Sequence, residues 1–123
     1  MLLTLHARLG RWLQTGGHLE PSDHGLGAAA LREAEEESGV SPLWLDPVPL
    51  LLSAHALPPT VPCGGGDAIT HLDVQHLVLA DRAAPPVVSL ESTAVGWFAP
   101  GALPDVDDSV RSLVAAASAR LGW

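Results

Sequence analysis

The sequence predicts one α/β domain with a mixed sheet between helices, and three observations carry that prediction. A chain of 123 residues suits a single core and is too short for two ordinary domains. Short apolar runs of strand type are spread along it, bounded by Gly, Pro and Asp. One helical pattern lies in the middle and another at the end, so a sheet with a helix on each face is the expected packing.

Taken in order, Leu2–His6 is an apolar run with strand character, followed by a turn at Gly10 and a second apolar patch at Trp12 and Leu13. Gly16 and Gly17 break the pattern, and residues 20–23 are loop material. A helix is predicted over Leu26–Ser38, with Ser22 or Asp23 as candidate cap and Gly39 as its stop. Residues 40–56 read as a connection and then a strand over 50–55, and 57–66, with three prolines and three consecutive glycines, as a loop. Residues 70–80 are expected to form one long strand, with shorter ones at 87–90 and 95–98. Asp107 and Asp108 open a second helix running to about Leu121, where Val110, Val114, Ala117 and Leu121 share an apolar stripe.

Composition excludes several classes. With 47% hydrophobic and 16% charged residues and no charge block, the chain is expected to fold. Fourteen acidic against six basic residues give a net charge of −8, which argues against a nucleic acid duplex as partner. Neither a signal segment nor a membrane segment is legible, so no membrane partner is expected. The single cysteine, Cys63, has no internal disulfide partner and reads as a loop thiol; a cytoplasmic location follows as the default.

The stretch that carries chemistry runs from Gly16-Gly17-His18 to Gly39-Val40. At about 100° per residue, Glu33, Glu36 and Glu37 fall on one side of the predicted helix and Glu35 points away. Like charges at this spacing destabilise a helix mildly, and a hard divalent cation relieves them, because magnesium and manganese prefer oxygen donors. An isolated acidic triplet is usually just a solvated face. Here the double glycine allows close backbone approach, and Arg32 adjoins the cluster.

These residues resemble the Nudix box of the Nudix hydrolase family, a signature of glycine, acid, Arg-Glu, aliphatic residue, Glu-Glu, glycine and aliphatic residue. In this chain it reads Gly17, Asp23, Arg32-Glu33, Ala34, Glu36-Glu37, Gly39 and Val40. Trp12, and Glu91 six residues before Trp97, extend the similarity weakly over most of the chain. The departures are Asp23 in place of glutamate, one residue more than usual between it and Arg32, Thr15 in place of proline and Ser22 in place of glycine. The resemblance implies a Nudix-like α/β/α sandwich, here N-terminally shortened. It implies a magnesium- or manganese-dependent hydrolase that cleaves a diphosphate linkage, in a nucleoside diphosphate joined to another moiety or in a nucleoside triphosphate. The alternative is a box-bearing domain that binds a nucleotide or a protein without turnover.

In what the resemblance implies, Glu33, Glu36 and Glu37 bind the cations together with the Gly16 carbonyl. Glu36 and Glu91 are the candidates for the proton-accepting carboxylate, and Arg32 orients the carboxylates of the helix. His18, after the double glycine, and Asp73, alternating with His71 and Gln75 along a strand, are candidate substrate contacts. The six histidines lack zinc spacing. Because an apolar run opens directly at Met1, Leu2–His6 is expected to leave a sheet edge open, and a homodimer is expected to cover it.

Overall fold

The computed structural model describes residues 1–57, 69–81 and 83–123. Its elements are β1 (Leu2–His6), β2 (Trp12–Leu13), α1 (Leu26–Ser38), β3 (Leu43–Leu45), β4 (Leu51–Leu57), β5 (Ile69–Gln75), β6 (Val78–Ala80), β7 (Ser92–Trp97) and α2 (Asp108–Leu121). This is the small α/β fold that the sequence predicts, with one helix in the middle and one at the end. Among the described residues the ladders are β2-β1-β7, β3-β6 and β4-β5, each paired antiparallel.

β1 holds the centre of the three-stranded sheet. Leu3 is fully buried and Thr4 nearly so, and the strand pairs with β2 on one side and β7 on the other. The expectation that β1 exposes an open edge is therefore corrected. Its ladder groups are taken on both sides, because the turn at Gly10 (φ 60°) folds Trp12 and Leu13 back onto it while Ser92–Trp97 flanks it opposite.

The core is built where this sheet meets α2: Leu3 packs with Val106, Val110 and Val114, and Met1, Trp12, Leu13, Phe98 and Leu103 close around them. Trp12 meets Phe98 edge-on, with ring centroids 5.0 Å apart, a favourable aromatic geometry. α2 buries Val110, Leu113 and Val114, so the predicted stripe holds and Leu113 widens it. Asp107 caps this helix, accepting the Val110 amide at 3.0 Å, and Asp108 in the first turn complements the helix dipole.

Three local expectations differ from the structure. The predicted strand over 70–80 is interrupted at His76 and Leu77, giving β5 and β6 with separate partners. Residues 87–90 form no strand, because the Val87 amide is taken by the Ser38 carbonyl at 2.7 Å and the segment lies against the end of α1. β3, expected to lie within a connection, pairs with β6. Most of the predicted loop over 57–66, Cys63 included, lies outside the described residues, and no described helix is long and apolar enough to cross a membrane.

Candidate active site

α1 runs over the predicted Leu26–Ser38, but neither Ser22 nor Asp23 caps it. Gly25 occupies the N-cap without a side-chain bond. Asp23 is committed elsewhere: Oδ2 accepts the Glu20 amide at 2.8 Å, and both oxygens receive Arg32, Oδ1 from Nε at 2.9 Å and Oδ2 from Nη2 at 3.0 Å. The longer spacing between the two residues thus still closes into a two-pronged ion pair.

Arg32 is the hub of the site. Nη1 donates to Glu33 Oε1 at 2.9 Å and to Glu36 Oε2 at 3.2 Å, Nη2 reaches the His18 carbonyl at 3.1 Å, and Glu20 Oε1 lies 3.5 Å away. One guanidinium thereby fixes the loop 18–23 against the carboxylate face of α1. Arg32 holds the Asp23 carboxyl down at about 2, with help from the Glu20 amide, and its own ionisation is driven further up, mainly by Asp23.

The carboxylates line one cleft. Glu33, Glu36 and Glu37 form one wall and Val88, Ser89, Leu90 and Glu91 the other, around a space of about 380 Å³. Glu35 is exposed and takes no part, as the helical spacing predicts. The second wall is placed by α1 itself. Gly39 ends the helix in the left-handed conformation (φ 66°), and a Cβ there would lie 2.7 Å from Val87 Cβ, so the glycine admits the following segment. Glu91 is then anchored by its carbonyl, which accepts the Ala7 amide at 3.1 Å, and by its own amide, which donates to Ser89 Oγ at 3.3 Å.

Glu37 is the buried member, and its carboxyl is pushed up to about 7. Burial is the largest cause, followed by the charges of Glu33, Glu91 and Glu36, while a hydrogen bond from the Gly16 backbone opposes them. The Gly16-Gly17 loop therefore touches the cluster at two points. A Cβ on Gly17 would fall 2.3 Å from Glu33 Oε1, so the glycine allows the loop to lie directly on that carboxylate.

Among the described residues no three His, Cys, Asp or Glu side chains converge on a single metal-holding point. Glu33 and Glu36 turn toward Arg32 instead, as like charges sharing one counter-ion do. The donor set nevertheless fits a hard divalent cation. Four carboxylates border one cleft, and the elevation of Glu37 arises from burial and like charge, which a cation beside it offsets.

His18 is exposed at the loop, and Asp73 lies on β5 next to His55 rather than in the carboxylate cleft. Sequence reasoning missed residues 88–90 as a wall, Glu20 beside Arg32, and His55 beside Asp73. The last pair comes from different strands, so only the β4-β5 register brings it together.

The site is thus an acidic helix face locked to a double-glycine loop by one arginine, on a small α/β fold. The family model for the NUDIX domain matches residues 1–116, and the chain belongs to that family. Its class is that of a Nudix pyrophosphohydrolase. Among solved structures it is similar to that of a C. elegans Ap4A hydrolase binary complex, with a TM-score of 0.71 and 18% identity over 98% of this chain and 85% of that one. At that identity the likeness speaks for the fold. No match is found among curated proteins.

Proposed function

We propose that this chain is a magnesium- or manganese-dependent hydrolase that cleaves a diphosphate linkage in a nucleotide, with Glu33, Glu36, Glu37 and the Gly16 carbonyl as the cation ligands. The observation that carries the reading is the buried Glu37, held at about 7 among Glu33, Glu36 and Glu91 beside the Gly16 backbone. A bound cation would polarise the phosphoryl oxygens and acidify a water, so that attack on phosphorus proceeds near neutral pH. Arg32 keeps Glu33 and Glu36 in register with the loop, and Glu91 and Glu36, which line opposite walls of the cleft, are the proposed acceptors of a proton from the attacking water. His18 and Asp73 remain the proposed substrate contacts. The enzyme reading gains over a silent binding module because the Arg32–Asp23 pair forms despite the altered spacing.

The proposed setting is the cytoplasm, in keeping with a single cysteine. The proposed assembly is a homodimer. With β1 interior, support for it shifts to apolar side chains left exposed on β4 and β5, Leu52 at 72% and Leu72 at 78%. Light scattering at micromolar concentration tests that point.

The deciding experiment is a hydrolysis screen over nucleoside triphosphates, nucleoside diphosphate sugars and dinucleoside polyphosphates, with the products separated by chromatography, run on chelator-treated protein with magnesium, manganese or zinc added back. Turnover restored by magnesium or manganese, best at mildly alkaline pH, is expected. Restoration by zinc alone would overturn the cation assignment.

A further inference from the structure

His6, at the end of β1, takes no part in the reaction described above, yet it is bound into the backbone that carries Glu91. Every amide of the turn from Ala7 to Gly10 has a partner. Ala7 N donates to the Glu91 carbonyl at 3.1 Å, and Gly10 N donates to the His6 carbonyl at 2.9 Å. The amides of Arg8 and Leu9 both donate to His6 Nδ1, each at 3.3 Å. The imidazole thus satisfies the amides that the backbone of the turn leaves over.

Glu91 lies directly across from this turn. His6 stands opposite Ser92 in the β1-β7 ladder, where the register shifts after Leu5, so the residue ahead of Ser92 reaches the turn and its carbonyl meets Ala7. Glu91 also lines the carboxylate cleft, facing Glu33, Glu36 and Glu37. The bond from its own amide to Ser89 Oγ joins near neighbours in the chain, so the Ala7 contact is what fixes it against β1. Two N–H groups converge on His6 Nδ1, so that nitrogen carries a lone pair and the ring proton sits on Nε2. An imidazolium bears a proton on both nitrogens and accepts neither amide, and imidazole is the side chain that changes charge between about pH 5 and 8. The charged residues flanking His6 are Arg8 and Arg11 on its own turn and Glu91 ahead of β7; β2 brings Trp12 and Leu13, and the strand partner on β7 is Ser92.

We propose that neutral His6 is a positioning residue for Glu91: by holding the Ala7–Gly10 turn it keeps Glu91 at the cleft, and its protonation loosens that hold. The inference rests on the reading of Glu91 as a proton acceptor. The test uses the full chain with saturating magnesium and, for turnover, the nucleotide that the hydrolysis screen shows to be cleaved fastest. His6→Ala is expected to lower kcat about tenfold with KM nearly unchanged, because a displaced proton acceptor slows the chemical step and not binding. His6→Asn is expected to keep a kcat near that of the wild type at about pH 8, since an asparagine carbonyl accepts amides a few residues on and does not titrate. As pH falls from about 8 to about 5.5, the ratio of the Asn variant's kcat to that of the wild type should rise several-fold. Protonation of Glu37 acts on both proteins alike and cancels in that ratio. A ratio independent of pH, wild-type kcat in His6→Ala, or an equal loss in both variants would overturn the role. An NMR titration needs neither turnover nor a weakened variant. The wild-type Ala7 amide proton is expected to move upfield, as a lengthened hydrogen bond does, with the midpoint of the His6 ring, and to lack that midpoint in His6→Asn. An Ala7 amide that ignores the His6 titration refutes the positioning. If Glu91→Gln keeps the wild-type kcat, or no nucleotide is cleaved, the proton-acceptor reading fails, and the titration still decides whether His6 holds Glu91 in place.

Discussion

Replacing Glu37 by Gln is expected to stabilise the metal-free protein at alkaline pH while removing most of its turnover. The carboxyl is held at about 7 instead of 4.5, first by burial and then by the charges of Glu33, Glu91 and Glu36. A displacement of that size corresponds to about 3 kcal/mol against the ionised form. Below pH 4.5 Glu37 is protonated in the folded and unfolded states alike, and no penalty applies. As pH rises the unfolded chain ionises first, so stability falls between 4.5 and about 7 and then levels off. Glutamine lacks this dependence. Urea unfolding in chelator should therefore find the variant more stable by about 2–3 kcal/mol near pH 8 and equal to the wild type near pH 4. Magnesium at about 100 times its Kd should close most of that gap, since it adds about 2.7 kcal/mol to a protein that binds it. A variant no more stable than wild type at pH 8 in chelator, yet gaining as much from magnesium, would refute the reasoning.

Other perturbations separate the parts of the site. Gly17→Ala should leave the thermal midpoint nearly unchanged, because the new Cβ meets only the far end of Glu33, yet it should lower magnesium affinity by about tenfold as Glu33 is displaced; calorimetry reads both directions. Arg32→Lys keeps the charge but cannot grip Asp23 with two prongs while bridging Glu33 and Glu36. Activity should fall by about 10–100-fold, and the Glu20 amide, now bonded to Asp23, should lose protection in hydrogen exchange. Asp107→Ala removes the cap of α2 and should cost about 1 kcal/mol in urea unfolding without altering kcat, since α2 supports the core and not the cleft.

The site was more legible in the sequence than the sheet around it. Glu33, Glu36 and Glu37 share a side because helical periodicity is local, and Gly39 stops the helix because only a left-handed residue ends it there. Glu91 was a candidate from its place before Trp97, but its approach to the helix depends on Val87 bonding to Ser38, a contact between segments far apart in the chain. The same limit explains the strand expected at 87–90 and the uninterrupted strand expected at 70–80, since local propensity cannot say which backbone groups a distant partner will take. Asp23 read as a helix cap for a similar reason. Its type suits a cap, and only the folded loop shows that Arg32 and the Glu20 amide hold it instead. β1 read as an exposed edge because its two neighbours, a two-residue strand and one near the other end of the chain, leave no local signal.

The central claim, that water attacks phosphorus at the carboxylate cleft, is tested most directly by running the reaction to completion in ¹⁸O-enriched water and weighing the products. With magnesium present, the account predicts one ¹⁸O on a phosphate of a product and none on its carbon-linked oxygens, and little product from Glu37→Gln in the same time. Label on a carbon-linked oxygen, or full labelling of phosphate by Glu37→Gln at the wild-type rate, would contradict it.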